Sequence, residues 1–214
     1  MIRACIFDLD GVLVDTARYH YLAWKRLAAE FGYELTEENN ERLKGVSRMR
    51  SLDIILELSG HSFSEAEKEK MADRKNGWFT EYLSKMNADE ILPGVNNLLQ
   101  QLKKDNIKIA LASSSKNAQR IIEVLGIQDY FETVVDGNMV VNAKPAPDIF
   151  LLAAKNISIT PQDCIVFEDA EAGVQAALRA GMKCVGVGRQ AQLGQATIVV
   201  PSLKEFDYSQ LKSL

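Results

Sequence analysis

Proline and cysteine are scarce in this chain, at 5 and 3 of its 214 residues, and no window repeats another or collapses to low complexity. Collagen-like, mucin-like and disordered classes are thereby excluded. The three cysteines, Cys5, Cys164 and Cys184, are odd in number, lie in apolar stretches and form no CxxC, which excludes a disulfide framework and a zinc site. They read as buried reduced thiols, and a cytoplasmic location is the expectation. None sits beside a base in sequence, so none is a candidate nucleophile. No run approaches the ~18 consecutive apolar residues of a membrane span. Arg3, Asp8, Asp10 and Asp15 interrupt any signal-peptide core, so no secretory leader is expected. Lysine and arginine number 25 against 29 acids and form no basic block, which argues against a nucleic-acid binder.

What remains is an ordinary globular chain, 47% apolar, long enough for one α/β domain with a modest insertion. Short apolar runs at 2–7, 107–112, 133–135, 164–167, 184–187 and 197–200 read as strands buried on both faces. Helical patterns separate most of them: 94–102, 118–125 closed by Gly126, a segment opened by Pro147, and 170–180 ended by Gly181. This alternation predicts βαβ units and a parallel, Rossmann-like sheet. Residues 16–88 break the rhythm with helical periodicity only, including a capping box at Ser64-Glu65-Ala66-Glu67. That stretch is too long for a crossover. It predicts an all-helical cap domain (16–88) inserted after the first strand into an α/β core (1–15 and 89–214), with linkers near Val14–Thr16 and Met86–Leu92.

Four motifs carry chemistry. Asp8-Leu9-Asp10-Gly11 ends the first strand, where ligands bind in open parallel sheets; by itself it could be a solvated βα turn. Glu168-Asp169 ends another strand. If the two strands are neighbours, four carboxylates converge, and like charges at ~4 Å repel by roughly 4 kcal/mol at an effective dielectric near 20. Such a cluster calls for a hard cation held by oxygens, Mg²⁺ rather than zinc. Ser113-Ser114-Ser115-Lys116-Asn117 sets hydroxyls and backbone N–H groups before a helix, an anion site or a plain helix cap. Lys144-Pro145 offers a cation that could neutralise a transferring phosphoryl group. Gly186-Val187-Gly188-Arg189-Gln190-Ala191 matches a dinucleotide fingerprint, but the next strand follows too soon for the helix that fingerprint needs.

These four elements, in this order and with a helical insertion after the first, resemble the haloacid dehalogenase superfamily of phosphoryl-transfer enzymes, and within it the hexose-phosphate mutases. The strings Lys44-Gly45-Val46-Ser47-Arg48, Arg74-Lys75-Asn76 and Lys144-Pro145-Ala146-Pro147-Asp148 carry the narrower likeness. The resemblance implies that Asp8 is a nucleophile phosphorylated in the reaction and Asp10 the general acid/base. It implies Mg²⁺ on Asp8, the Asp10 backbone carbonyl, Glu168 and Asp169, with Ser113 and Lys144 on the phosphoryl oxygens. Substrate contacts would come from the cap loop Lys44, Gly45, Val46, Ser47 and Arg48, with the arginine on a second, non-transferring phosphate. Ser114, Ser115, Lys116 and Asn117 would meet the same phosphate or ring hydroxyls, and Thr16, His20, Trp24 and Lys75 complete the set.

Blander readings stand beside several of these residues: Arg42, Lys44, Arg48 and Arg50 could be one solvated helix face, His20 a packed core histidine, and Thr16 a helix N-cap. The implied activity is interconversion of β-D-glucose 1-phosphate and D-glucose 6-phosphate through an aspartyl phosphate and a 1,6-bisphosphate. A sugar-phosphate phosphatase on the same scaffold is the alternative. A phospho-receiver module fits poorly, since receivers are smaller and uncapped. A monomer acting on a small phosphosugar, with no nucleic-acid or membrane partner, is expected.

Overall fold

The computed structural model describes residues 2–43, 46–212 and 214; Lys44 and Gly45 of the expected substrate loop lie outside the described residues. The apolar runs become six strands: β1 (Ala4–Phe7), β2 (Lys108–Ala112), β3 (Thr133–Val135), β4 (Cys164–Glu168), β5 (Lys183–Val187) and β6 (Ile198–Val200). They lie in the order β3-β2-β1-β4-β5-β6, every neighbouring pair parallel. Both sheet faces are buried, which is why the strands read as continuous apolar runs. Cys5 and Phe7 of β1 face one side and pack with Leu98, Leu99 and Ile121. Ala4 and Ile6 face the other and pack with Phe150, Ala153 and Ala177. The Phe7 and Phe167 rings stack at 4.6 Å and lock the two central strands together, worth about 0.5–1.5 kcal/mol beyond burial.

The insertion folds as α1 (Ala17–Ala29), α2 (Glu37–Glu41), α3 (Arg48–Ser59) and α4 (Glu65–Leu83). Its apolar stripes meet in a core of their own, with Trp24, Leu27, Leu52, Ile55 and Met71 at the centre. The capping box expected at Ser64 is present in full, the Ser64 hydroxyl accepting from Glu67 N–H and the Glu67 carboxylate from Ser64 N–H. Ala23, Phe79 and Leu83 turn instead toward the main core, so the two layers share a seam. The chain crosses that seam twice, side by side: Leu92 N–H donates to Leu13 carbonyl at 3.0 Å, and Val14 pairs with Ile91 in an antiparallel bridge.

The remaining helices, α5 (Val95–Lys104), α6 (Ala118–Val124), α7 (Asp148–Asn156) and α8 (Glu171–Arg179), cover the sheet, and α9 (Gln190–Leu193) is a single turn between β5 and β6. That turn is all the helix the Gly186–Ala191 match possesses. Thr16 stands at the N-cap position of α1 but does not cap with its side chain. Its backbone is helical (φ −91°, ψ 0°) rather than extended, and Asp15 Oδ1 accepts the Ala17 N–H at 3.1 Å instead. Among the described residues no helix is long and apolar enough to cross a membrane.

Candidate active site

Parallel pairing brings the ends of three adjacent strands to one edge. Phe7 aligns with Leu111 of β2 and Phe167 of β4, and Asp8 N–H continues the ladder by donating to Phe167 carbonyl at 2.9 Å. The first residue beyond β1 is therefore Asp8, the one beyond β2 is Ser113, and β4 ends on Glu168 itself. All three are buried. Lys144 arrives from the loop before α7 and bonds Asp8 Oδ1 at 2.5 Å and Glu168 Oε2 at 2.8 Å. Burial pulls the Lys144 ammonium down, but the charges and bonds of Asp8 and Glu168 outweigh it and hold it above the usual lysine value. Glu168 is pushed up to about 7 by burial against the pull of Lys144, and its Oε1 takes Ala170 N–H at 3.1 Å.

One lysine does not balance this much negative charge. Asp8, Glu168 and Asp169 each offer a carboxylate oxygen, the three within 4.8 Å of one another. Burial and then the charges of Glu168, Asp8 and Asp10 drive the Asp169 carboxyl well above its ordinary value. An oxygen-only donor set under mutual repulsion fits a hard divalent cation. The side chain of Asp10 is not in this group; its expected share is its backbone carbonyl. Two glycines make room for the cluster. Gly11 sits at φ 76°, and a Cβ there would fall 2.0 Å from Asp169 Oδ2; a Cβ on Gly173 of α8 would fall 2.0 Å from the Glu168 carboxyl carbon.

Above the carboxylates, between core and cap, lies a cavity of about 110 Å³, room for several waters at roughly 10–15 Å³ each. Its core wall holds Asp8, Asp10, Ser113, Ser114, Ser115, Lys116, Asn117 and Asp169; its cap wall holds His20, Trp24, Val46, Arg48 and Lys75. Asp10 Oδ1 is buried without a hydrogen-bond partner among the described residues, as is Thr16 Oγ1. Burial, then the Asp8 charge, pushes Asp10 up to about 8. On the cap side Lys75 Nζ meets His20 Nδ1 at 2.7 Å and lies over the Trp24 and Phe79 rings. Burial and then the charge of Lys75 hold the His20 imidazole well below its ordinary value. Burial and then Arg48 bring Lys75 down to about 7.

The three described cap cations, Arg42, Arg48 and Arg50, part company. Arg48 turns inward, its guanidinium donating to Asn76 Oδ1 at 2.9 Å, while Arg50 turns outward to Glu57 at 2.6 Å and Arg42 is exposed. Ser47 caps α3 through Arg50 N–H and lines a neighbouring cleft beside Ser114 and Lys144, not the cavity above the carboxylates. Thr16 lines neither cavity. The Ser115 hydroxyl takes Asn117 N–H at 3.3 Å, and the Ser113 hydroxyl takes Ser115 N–H at 3.1 Å, so this loop is held by its own serines. Asn40, Ser51 and Asn76 also line the cavity, and sequence reasoning assigned none of them. For Asn76 a signal existed in the Arg74-Lys75-Asn76 string; for Asn40 and Ser51 none stood out from ordinary helix polarity.

Comparison with known proteins shows the family and the fold. A family model for haloacid dehalogenase-like hydrolases matches residues 2–181. The chain is 47% identical over 201 residues to a beta-phosphoglucomutase of Bacillus subtilis, covering 93% of this chain and 89% of that one. It is 34% identical to a phosphorylated carbohydrates phosphatase of Thermotoga maritima, covering 92% and 90%. The crystal structure of beta-phosphoglucomutase from Clostridium difficile superposes with a TM-score of 0.96 at 46% identity, covering 100% of this chain and 96% of that one.

Proposed function

The chain belongs to the haloacid dehalogenase-like hydrolase family, and from that premise we propose that it is a phosphomutase interconverting β-D-glucose 1-phosphate and D-glucose 6-phosphate. The observation that supports this most is the cavity with Asp8 and Asp10 on its core wall and Arg48 on its cap wall. It pairs a transfer site with an anchor for a second phosphate.

In the first half-reaction an Asp8 oxygen forms a bond to phosphorus as the bond to the sugar oxygen breaks. Asp10 gives its proton to the departing oxygen. In the second half, Asp10 takes the proton of the incoming hydroxyl, that oxygen bonds to phosphorus, and the Asp8–phosphorus bond breaks. A proton-carrying Asp10 near neutral pH suits the first step. Ser113 and Lys144 border the reacting end, where donors to the equatorial oxygens matter more than bond-making power. Mg²⁺ held by Asp8, Glu168, Asp169 and the Asp10 carbonyl would neutralise charge on Asp8 and the phosphoryl group. His20 and Lys75 brace the cap wall, and Arg48 offers a fork of N–H donors suited to a phosphate. Substrate entry needs the cap layer to swing about the paired linkers, and its return excludes water. The protein is expected to work in the cytoplasm as a monomer.

The test is a coupled assay with β-glucose 1-phosphate, Mg²⁺ and a trace of 1,6-bisphosphate. Glucose 6-phosphate formation is expected; release of inorganic phosphate without it would replace the mutase with a phosphatase, the activity named for the Thermotoga maritima relative. Asp8→Asn is expected to abolish the phosphoenzyme mass shift, and a fully active variant would refute the mechanism.

A further inference from the structure

Asn76 takes no part in the transfer chemistry, yet its carboxamide oxygen sits at a junction. Arg48 Nη2, at the start of α3, and Asn117 Nδ2, just before α6, both donate to Asn76 Oδ1 at 2.9 Å. Arg48 and Asn76 belong to the cap and Asn117 to the core, so the shared oxygen ties one layer to the other across the cavity that all three line. A carbonyl oxygen carries two lone pairs, and both are committed. The anion near Arg48 is Asp73, 3.8 Å away and 84% exposed, too solvated to hold the guanidinium firmly. The neutral acceptor fixes the direction of the fork instead.

Donors that converge on one oxygen from two layers are also arranged to converge on a phosphate oxygen, a stronger acceptor of the same kind. We propose that Asn76 is a positioning residue that aligns Arg48 and Asn117 on the non-transferring phosphate of the sugar and couples its capture to cap closure. This rests on the phosphomutase reading above. The neutrality of the carboxamide is essential to the role. A carboxylate in its place would keep both bonds and strengthen the tie, but it would pair with Arg48 in competition with the phosphate. A methyl group would remove the tie and leave both donors unaligned.

Stability and affinity should therefore come apart. Thermal melting is measured for wild type, Asn76→Ala and Asn76→Asp, and glucose 6-phosphate binding is measured by calorimetry in Mg²⁺. Asn76→Asp is expected to melt at or above the wild type and Asn76→Ala below it. Both variants are expected to bind glucose 6-phosphate roughly ten- to a hundredfold more weakly, the range of a hydrogen bond to a charged group, with Asn76→Asp at least as impaired as Asn76→Ala. Asn76→Asp with wild-type affinity, or affinities that follow the melting order, would overturn the role of Asn76 alone. A wild-type protein that binds no glucose 6-phosphate would instead overturn the reading on which the role rests.

Discussion

Two glycines in helices make opposite demands on the same substitution. Gly173 lies in the first turn of α8, and an alanine Cβ there would sit 2.0 Å from the Glu168 carboxyl carbon and 2.1 Å from Oε2. Restoring an ordinary carbon contact of ~3.5 Å requires a retreat of about 1.5 Å. Glu168 cannot make it while keeping Lys144 at 2.8 Å and Ala170 N–H at 3.1 Å. If α8 moved instead, Val174, Ala176 and Ala177 would leave the core. Disrupting a buried ion pair costs about 3–5 kcal/mol, and alanine returns about 0.5–1 kcal/mol of helix preference. A net loss of about 2–4 kcal/mol corresponds to a fall in Tm of roughly 5–15 °C for a chain of this size. Because Glu168 is an expected metal ligand, apparent Mg²⁺ affinity should also drop by roughly 10–100-fold, as when a ligand loses its support. Gly77 of α4 is the internal control: nothing lies within 4 Å of a Cβ there, so Gly77→Ala should stabilise by about 0.5–1 kcal/mol. Melting curves and Mg²⁺ titrations of both variants decide it. If Gly173→Ala behaved like Gly77→Ala, with raised Tm and unchanged metal affinity, the account of how Glu168 is seated would be wrong.

Lys75 gives a pH signature. Folded Lys75 releases its proton at about 7 against an ordinary value of 10.5, so the unfolded chain binds more protons throughout that window and stability climbs as pH rises through it. Lys75→Met should flatten that climb and raise Tm at pH 6 while lowering turnover; an unchanged Tm-versus-pH curve would contradict the buried, depressed amine. Mg²⁺ should raise Tm with a logarithmic dependence on its concentration, and Glu168→Gln should suppress most of that rise; a rise of equal size in the variant would place the ion elsewhere.

The core half of the site was legible because all its motif residues but Lys144 stand at the end of a strand buried on both faces. Where an apolar run stops, the chain must leave the sheet, and Asp8, Ser113 and Glu168 are the residues at which it does so. Adjacency of β1, β2 and β4 then needs only parallel pairing. The cap half resisted for the opposite reason. Glu37–Glu41 is a polar segment with no buried residue, and its helix depends on the Thr36 hydroxyl accepting Asn39 N–H at 3.2 Å rather than on any periodic stripe. Arg48 and Arg50 look equivalent in a string of cations. Two residues along a helix are about 200° apart around its axis, so one reaches Asn76 and the other Glu57. Which of them faces inward is set by the packing of Leu52 and Ile55, decided within α3 only once α4 is in place. Thr16 takes the expected N-cap position, but a capping hydroxyl and one buried at the seam look alike in sequence; here its helical backbone leaves the first-turn N–H to Asp15. Asn76 shows the same limit most plainly, since its partners lie 28 and 41 residues away in different layers. A contact that exists only when two layers meet leaves no local pattern, and for the same reason it can report whether they have met.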